Sequence, residues 1–396
     1  MIYLDLLKKK VKDTFDYIFC GYGLSSSVIL HKMSMDEHFI NKSILVIESN
    51  KKDINKTWCF WDSKNSTWDS FIDKKWSNIK FKNSNTNINH QLSDIRYNMI
   101  KSQGFFDQIK KDIDLNLNIR IIYDQVLNIK QKSNGIEISC NGSVFFGKKV
   151  FNSIPKFSPY VDDRRFPILL QHFKGWTIKT ENNSFKSDEA TIMDFSINQK
   201  NQTRFFYILP LNSKEALVEF TLFTKKIIDD DEYEMEITSY LKSLNIKKYK
   251  ISSKETGVIP MTCYPFEKYN SSNLINIGTA GGWTKPSSGY TFRFIDKYSN
   301  KLIEFIKTGR SFKKFKLRDR FWFYDLVFLD VLFNKNFLGS SLFETMFKKN
   351  NFNSIFRFLD NESSYYEDFK IINSFPKVIF IKSFLKNIPK IISAYL

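Results

Sequence analysis

Apolar positions along the chain change period several times, and each change marks an element. Phe15 to Phe19 is a short, mostly apolar run broken by Asp16; it leads into Gly21 and reads as a buried parallel strand. Gly21-Tyr22-Gly23-Leu24-Ser25-Ser26 follows as a turn, Ser27 to Met33 as a helix start, and Ile44 to Ile47 as a second buried strand ending in Glu48. Strand, glycine turn, helix and strand within about 35 residues is the order of a dinucleotide-binding unit. Lys51 to Thr57 is polar and reads as a loop, and Thr57 to Trp76 is tryptophan-rich and irregular. Ser93 to Ile109 is compatible with a helix. Ile121 to Ile138 alternates as strands about an Asn134-Gly135 hairpin turn, and Val150 to Ile154 reads as another buried strand.

A second lobe begins near Gln171. Strands are predicted at Trp176–Thr180, Ala190–Phe195, Arg204–Leu209 and Ala216–Phe223, with Ser213 and Lys214 turning between the last two. Leu274 to Gly278 returns as a strand running into a second glycine-rich turn, and beyond about residue 300 the pattern is helical and phenylalanine-rich. No internal repeat or long low-complexity linker separates these stretches. The expected fold class is therefore α/β: a discontinuous Rossmann-like domain (14–170 and 272–310) interleaved with a mixed β-sheet substrate domain (171–271), then a helical C-terminal region (311–396).

Composition narrows the function classes. The 396 residues are 42% hydrophobic and 26% charged, which excludes a disordered chain. Cys20, Cys59, Cys140 and Cys263 lack paired metal-ligand spacing and disulfide-framework density, and His31, His38, His90 and His172 are equally scattered. A reducing compartment is expected, and a metal centre is not. The chain holds 40 Phe and a net charge of +18. Lys, Asn, Ile and Phe are abundant throughout, which is one sufficient cause; the functional reading is a basic protein that meets an anionic surface and carries an aromatic pocket. Zinc-finger spacing, a glycine-aromatic RNA-binding signature and a basic heptad region are missing, so nucleic acid is not an expected partner. Met1 to Leu7 is apolar but carries Asp5, and Lys8, Lys9 and Lys10 follow it instead of preceding it, unlike a signal peptide. No window of about 18 uncharged apolar residues occurs, so any membrane contact would be peripheral.

The glycine turns carry the first chemistry. Gly21 permits the tight turn, and Gly23 lets backbone N–H groups approach a pyrophosphate at the helix N-terminus. Ser26 stands where the usual fingerprint has its third glycine and still permits close packing. Glu48, 27 residues after Gly21, ends the second strand where a carboxylate can take ribose hydroxyls. The second turn, Gly278-Thr279-Ala280-Gly281-Gly282, precedes Lys285-Pro286-Ser287-Ser288-Gly289-Tyr290. Two such turns far apart in the chain favour FAD over NAD, because the larger cofactor is gripped from two places.

At this point the sequence resembles the lycopene cyclase family of flavin-fold carotenoid enzymes across nearly its whole length. The resemblance is carried by Gly21-Tyr22-Gly23-Leu24 with Glu48; by Lys56-Thr57-Trp58-Cys59-Phe60; by Gln171-His172-Phe173-Lys174-Gly175-Trp176; by Met193-Asp194; by Phe206-Tyr207-Ile208-Leu209-Pro210; by Leu217-Val218-Glu219-Phe220-Thr221; and by Gly278 to Gly282 with Pro286 to Tyr290. It implies a Rossmann-like FAD domain and cyclisation of the ψ-ends of lycopene, or another acyclic carotenoid, to β-ionone rings. It further implies an FAD that is active when reduced, NAD(P)H as the reductant, and no net redox change. The cofactor residues it implies are Gly21, Gly23, Ser26, Glu48, Trp58, Gly278, Ala280, Gly281, Pro286, Ser288, Gly289 and Tyr290. Two departures stand out. Plant and cyanobacterial members carry two adjacent carboxylates in the acid segment, whereas Glu219 is followed here by Phe220, and Lys56 replaces a common histidine.

Ring closure needs an acid that protonates a hydrocarbon, and burial keeps a carboxyl neutral for that task. Glu219 fits: on a strand it shares a face with Leu217 and Thr221, while Val218, Phe220 and Leu222 share the other. Asp194, at the end of an apolar run, is the candidate to position Glu219 or share its proton. Trp58, Trp61, Trp176 and Trp283 are candidates for lining the cavity. The rival readings are a flavin-dependent monooxygenase or reductase of an isoprenoid, which consumes NAD(P)H with every substrate, and a prenyl-lipid carrier of the same fold, which needs no acid. A substrate that lives in bilayers requires docking. As a helix, the C-terminus places Ile381, Phe384, Leu385, Ile388, Ile392 and Tyr395 on one stripe and Lys382, Lys386 and Lys390 on another, with a kink or restart expected near Lys386 to Ile388 because of Pro389. That pattern suits an anionic leaflet, so the expected location is cytoplasmic, on the inner face of the cell membrane, with other carotenoid enzymes as possible neighbours.

Overall fold

The structure is a computed structural model describing residues 13–49, 55–64, 66–116, 118–155 and 165–395. The expectations for Met1 to Lys10 and for 51–54 fall outside the described residues. The chain opens with β1 (Asp13–Cys20), α1 (Leu24–Ser34) and β2 (Ile44–Glu48), as the glycine-turn pattern predicts. β1 pairs in parallel with β2, and the apolar ends of both strands are buried on both faces, which is why they read as unbroken hydrophobic runs.

The tryptophan-rich stretch is more ordered than its pattern implies. β3 (Thr57–Ser63) and β4 (Lys74–Trp76) flank β7 (Ile95–Lys101) in a small antiparallel sheet, while β5 (Asn78–Asn83) and β6 (Thr86–Gln91) leave for another sheet. The helix expected over Ser93–Ile109 is therefore half strand, and α2 (Ser102–Asp114) begins only at Ser102. Pairing of Tyr97, Asn98 and Met99 with both β3 and β4 overrides the local helical pattern. β8 (Ile119–Tyr123), β9 (Val126–Lys132), β10 (Gly135–Cys140) and β11 (Val144–Asn152) complete the first sheet. Gly135 pairs with Lys132, leaving Ser133 and Asn134 as the hairpin turn.

The second sheet contains β12 (Ile168–Thr180), β13 (Glu189–Asp194), β14 (Thr203–Pro210) and β15 (Glu215–Thr224), then α3 (Asp230–Ser243) and β16 (Tyr249–Thr262). Its order is β16-β12-β15-β14-β13-β5-β6, so two strands come from 78–91, inside the stretch assigned to the other lobe. β16 falls where no strand is predicted, because most of its residues are polar and exposed on a sheet edge. β17 (Leu274–Asn276) returns to pair in parallel with β11. The helices α4 (Phe292–Lys307), α5 (Arg320–Asn334), α6 (Gly339–Lys349), α7 (Phe352–Leu359), α8 (Tyr365–Ser374) and α9 (Lys377–Tyr395) finish the chain.

Each face of the second sheet has its own cover. Trp176, Phe206, Val218, Phe220 and Leu222 pack against Tyr233, Ile237 and Tyr240 of α3. The opposite face, with Phe205, Tyr207, Leu217 and Phe223, packs against the small sheet and the phenylalanines of the C-terminal helices. Many of the 40 Phe are used here, in contacts such as the stacked rings of Phe81 and Phe347. α9 docks on α5 through polar groups: Ser383 donates to Asp330 Oδ2 at 2.9 Å, and Lys386 pairs with Asp330 at 2.6 Å. Its apolar residues Ile381, Phe384, Leu385 and Ile392 stay exposed. The helix continues through Pro389 instead of restarting, and the carbonyl four residues back loses its donor where solvent can replace it. No single described helix is long and apolar enough to cross a membrane; Arg320–Asn334 and Asn336–Lys349 pass that test only jointly, across a bend of 109°.

Candidate functional site

The first glycine turn and the second meet. Gly278 has a positive φ, and a Cβ on it would lie 2.5 Å from Ser25 Oγ, so only glycine lets the two turns pack so closely. Gly23 is the N-cap of α1 and gives no side-chain cap, and the first turn holds no acid, leaving N–H groups for an anion. A Cβ added at Gly23 would meet nothing within 4 Å; it would project into a cavity of about 270 Å³ that Gly23, Ser25, Trp58, Gly278 and Thr279 help to line. Gly21 has a positive φ, Ser26 is fully buried beneath the turn, and Glu48 accepts from the Tyr22 N–H at 2.6 Å. Gly23, Ser25 and Gly278 with the first N–H groups of α1 could hold a phosphate, whereas Gly21, Ser26 and Glu48 shape the turn and line none of these cavities.

A second cavity, of about 100 Å³, adjoins the first, and Thr57, Trp58, Phe173, Glu255, Ile259 and Thr291 line both. Strand register builds its floor. Tyr207 pairs with Glu219, Glu219 with Gly175, and Gly175 with Glu255, so one row crosses four strands with the carboxyl groups on either side of a glycine. A Cβ on Gly175 would lie 2.9 Å from Leu217 Cδ1, 3.3 Å from Glu255 Cγ and 3.4 Å from Glu219 Cβ; glycine leaves that space to the two acids. Trp58, Cys59, Tyr97 and Tyr290 supply the remaining walls.

The electrostatics follow from this enclosure. Glu219 is half-buried, and its accessible surface lies on the cavity wall. Burial first, and the negative charge of Glu255 second, push its carboxyl up to about 8, against one hydrogen bond from the Thr221 hydroxyl at 2.7 Å. Burial also raises Glu255, but the Thr57 hydroxyl at 2.8 Å, the Thr57 N–H and the charge of Lys101 pull it back toward the ionised form. Tyr290 is held up at about 12, chiefly by burial, and the Tyr97 and Tyr207 hydroxyls hydrogen-bond to it. Burial and the two carboxyls push the Cys59 thiol up as well.

A third cavity, of about 520 Å³ and almost wholly apolar, lies among α5 to α9; Phe323, Phe328, Phe375, Phe380 and Phe384 are among its walls. Ser287 lines this cavity and the next residue, Ser288, lines the acid cavity, so only a thin wall separates them there.

The family profile described as "Lycopene cyclase protein" matches residues 16–383. The chain belongs to the lycopene cyclase family. No curated protein sequence matches it. Among solved structures it is similar to a geranylgeranyl bacteriochlorophyll reductase-like protein from Thermoplasma acidophilum, with 12% identity over 97% of this chain and 98% of that one and a TM-score of 0.57. It is also similar to a flavoprotein/dehydrogenase from Cytophaga hutchinsonii (12% identity, 96% and 100% covered, TM-score 0.60) and to a variant of the halogenase PltM in complex with FAD (10% identity, 88% and 82% covered, TM-score 0.59). These likenesses establish the mixed α/β fold with a Rossmann-like dinucleotide domain.

Within this cyclase-family chain the expected site residues divide. Gly23, Trp58 and Gly278 line the cofactor-side cavity, and Trp58, Glu219, Ser288, Gly289 and Tyr290 line the acid cavity. Gly281 and Pro286 instead line a separate recess beside Trp283 and Asp325, and Ala280 lines none of these cavities. Asp194 does not join Glu219. It lies two strands away on the opposite face, accepting from the Tyr240 hydroxyl at 2.7 Å and pairing with Lys82 at 3.2 Å. Trp176 packs on that same far face, while Trp61 and Trp283 are buried in packing clusters. The second acid at the cavity is Glu255, which sequence reasoning missed. Lys254-Glu255-Thr256-Gly257 is polar and carries no strand signal, and only the register through Gly175 reveals its partner.

Proposed function

We propose that this family member is a lycopene β-cyclase that closes the ψ-ends of lycopene, through γ-carotene to β-carotene, with no net redox change. The observation that carries the reading is Glu219: a carboxyl kept protonated near neutral pH on an aromatic wall that continues into a dinucleotide cradle. The residues of that cradle fit FAD. Gly23 and the N–H groups of α1 would hold the pyrophosphate, and Gly278 would give the close approach. When bound in its reduced form, with NAD(P)H as reductant, FAD supplies electron density that favours a cationic substrate.

Glu219 gives its proton to the terminal double bond of the polyene, and the resulting cation closes the ring onto a neighbouring alkene carbon. The faces of Trp58, Tyr97, Tyr207 and Tyr290 offer negative quadrupole without a strong nucleophile, and the mainly apolar wall gives little purchase to water that would trap the cation. The acid cavity holds one chain end; the apolar cavity among α5 to α9, beyond the wall at Ser287 and Ser288, has the apolar lining that the rest of a polyene needs. Exposed Ile381, Phe384, Leu385 and Ile392, with Lys382 exposed on the same helix, suit docking on an anionic leaflet at the cytoplasmic face of the membrane, beside enzymes that make or consume carotenoids.

The test is expression in lycopene-accumulating bacteria followed by pigment chromatography. Monocyclic or bicyclic products are expected with wild type and unchanged lycopene with Glu219→Gln. Consumption of one NAD(P)H per ring would move the assignment to a redox enzyme; retained activity in Glu219→Gln would remove the acid mechanism.

A further inference from the structure

An isomerisation that begins by adding a proton must end by losing one, and the acid must be reset before the next ring. The cavity wall offers few bases for that step. Tyr97, Tyr207 and Tyr290 are phenols that burial holds neutral, and Cys59 is a thiol held neutral in the same way. Glu255 is different. It lines both the acid cavity and the cofactor-side cavity, faces Glu219 across a residue with no side chain, and is held by two donors on Thr57 with Lys101 nearby. Glu219 has one neutral donor and no cation beside it.

We propose that Glu255 takes the proton shed by the cyclising substrate and hands it back to Glu219 over Gly175, so that the two carboxyls pass a single proton between them in each turnover. The inference rests on the cyclase reading above. In the resting pair the proton belongs to Glu219 and the charge to Glu255, because like charges this close do not both ionise readily and Thr57 and Lys101 favour the anion on Glu255. Glu219 loses its proton to the terminal alkene carbon, and the ring closes by forming one C–C bond. A C–H bond next to the cationic carbon then breaks, its electron pair becomes the ring double bond, and its proton goes to Glu255. Return of that proton to Glu219 restores the starting state; no electrons leave the substrate and no oxidant is needed. Glu219 and Glu255 lie two strand spacings apart, roughly 10 Å between backbones, and their side chains converge over the glycine.

The experiment uses the full chain loaded with FAD, lycopene in liposomes and NADPH, and compares wild type, Glu255→Gln and Glu255→Asp. FAD content, read from the flavin spectrum, serves as the control for folding. With Glu255→Gln, kcat should fall about 100-fold or more while FAD content holds. The stranded cation should also lose a different proton or capture water, giving ε- or γ-type ring isomers or a tertiary alcohol. The alkaline limb of the pH profile should move to lower pH, because removal of the Glu255 charge lets Glu219 ionise more easily. Glu255→Asp should restore the β-ring as product with part of the rate. Unchanged products and a rate within threefold of wild type in Glu255→Gln would overturn the proposal and leave the cyclase reading intact. Flavin-loaded wild type that forms no ring at all would sink the cyclase reading, and this proposal with it.

Discussion

The two faces of the second sheet are built from the same strands and teach opposite lessons about charge. On the α3 face every charged side chain has a partner: Arg204 is paired with Glu232 at 2.9 Å and Glu236 at 3.2 Å, Lys174 with Asp230 at 2.7 Å, and Asp194 with Lys82 at 3.2 Å. On the cavity face, Glu219 and Glu255 have only hydroxyl and amide donors in contact, and both are pushed toward the neutral form. Alternation along β12 makes the division plain. His172, Lys174 and Trp176 point toward α3, while Gln171, Phe173 and Gly175 face the cavity. Paired charges in a packed interface hold structure; an acid without a cation in an aromatic enclosure holds chemistry.

Substitutions matched across the sheet break or sharpen this comparison. The largest effect is expected for Glu219→Gln, which should cost about 10²–10⁴ in cyclisation rate with FAD content maintained and no loss of melting temperature. On the other face, Arg204→Met removes the buried partner of Glu232 and Glu236, which keep Lys200 at 3.0 and 2.8 Å; it should lower unfolding free energy by about 1–3 kcal/mol in denaturant titration while specific activity of the folded fraction is kept. Asp194→Asn removes the Lys82 pair but keeps a hydrogen-bonding amide for Tyr240, with an expected cost of about 1–3 kcal/mol and little change in rate. If Asp194→Asn were as inactive as Glu219→Gln, the division between the faces would be wrong.

The pH dependence sharpens the same contrast. Glu219 acts as an acid, so activity should hold below about pH 8 and fall roughly tenfold per unit above it. Because its folded-state affinity for the proton exceeds the unfolded one, its contribution disfavours folding progressively as pH rises from the ordinary carboxylate range through about 8. Glu219→Gln should therefore melt above wild type at pH 8.5, with the gap closing toward pH 4. The smallest effect belongs to the periphery: Leu385→Ser with Ile392→Ser should weaken co-sedimentation with anionic liposomes, by about tenfold for each 1.4 kcal/mol of lost apolar burial, and leave melting temperature unchanged.

Much of this was legible beforehand. The βαβ start, the hairpin before Gly135, the strands of the second lobe and the phenylalanine-rich helical end each carry a local period or turn signal. Gly21, Gly23 and Glu48 stand out in their own segments as the glycine turn and the strand-end acid, and Glu219 as a lone carboxyl in an apolar strand. The failures have one physical cause. Tyr97 to Lys101 look helical until β3 and β4 flank them, and within the second glycine turn only the assembled fold separates Gly278, which lines the cofactor-side cavity, from Gly281 and Pro286, which line the recess beside it. Asp194 and Glu219 both end or interrupt apolar runs, and nothing local says that they face opposite ways.

By itself the chain's order of residues determined which elements could form and which side chains carried reactive chemistry, because propensity, turn geometry and strand alternation act over a few neighbours. Which two acids meet was decided only by tertiary structure. Glu219 and Glu255 are brought together by pairing of β15 and β16 on either side of β12, with Gly175 between them, and strand register is a property of the assembled sheet.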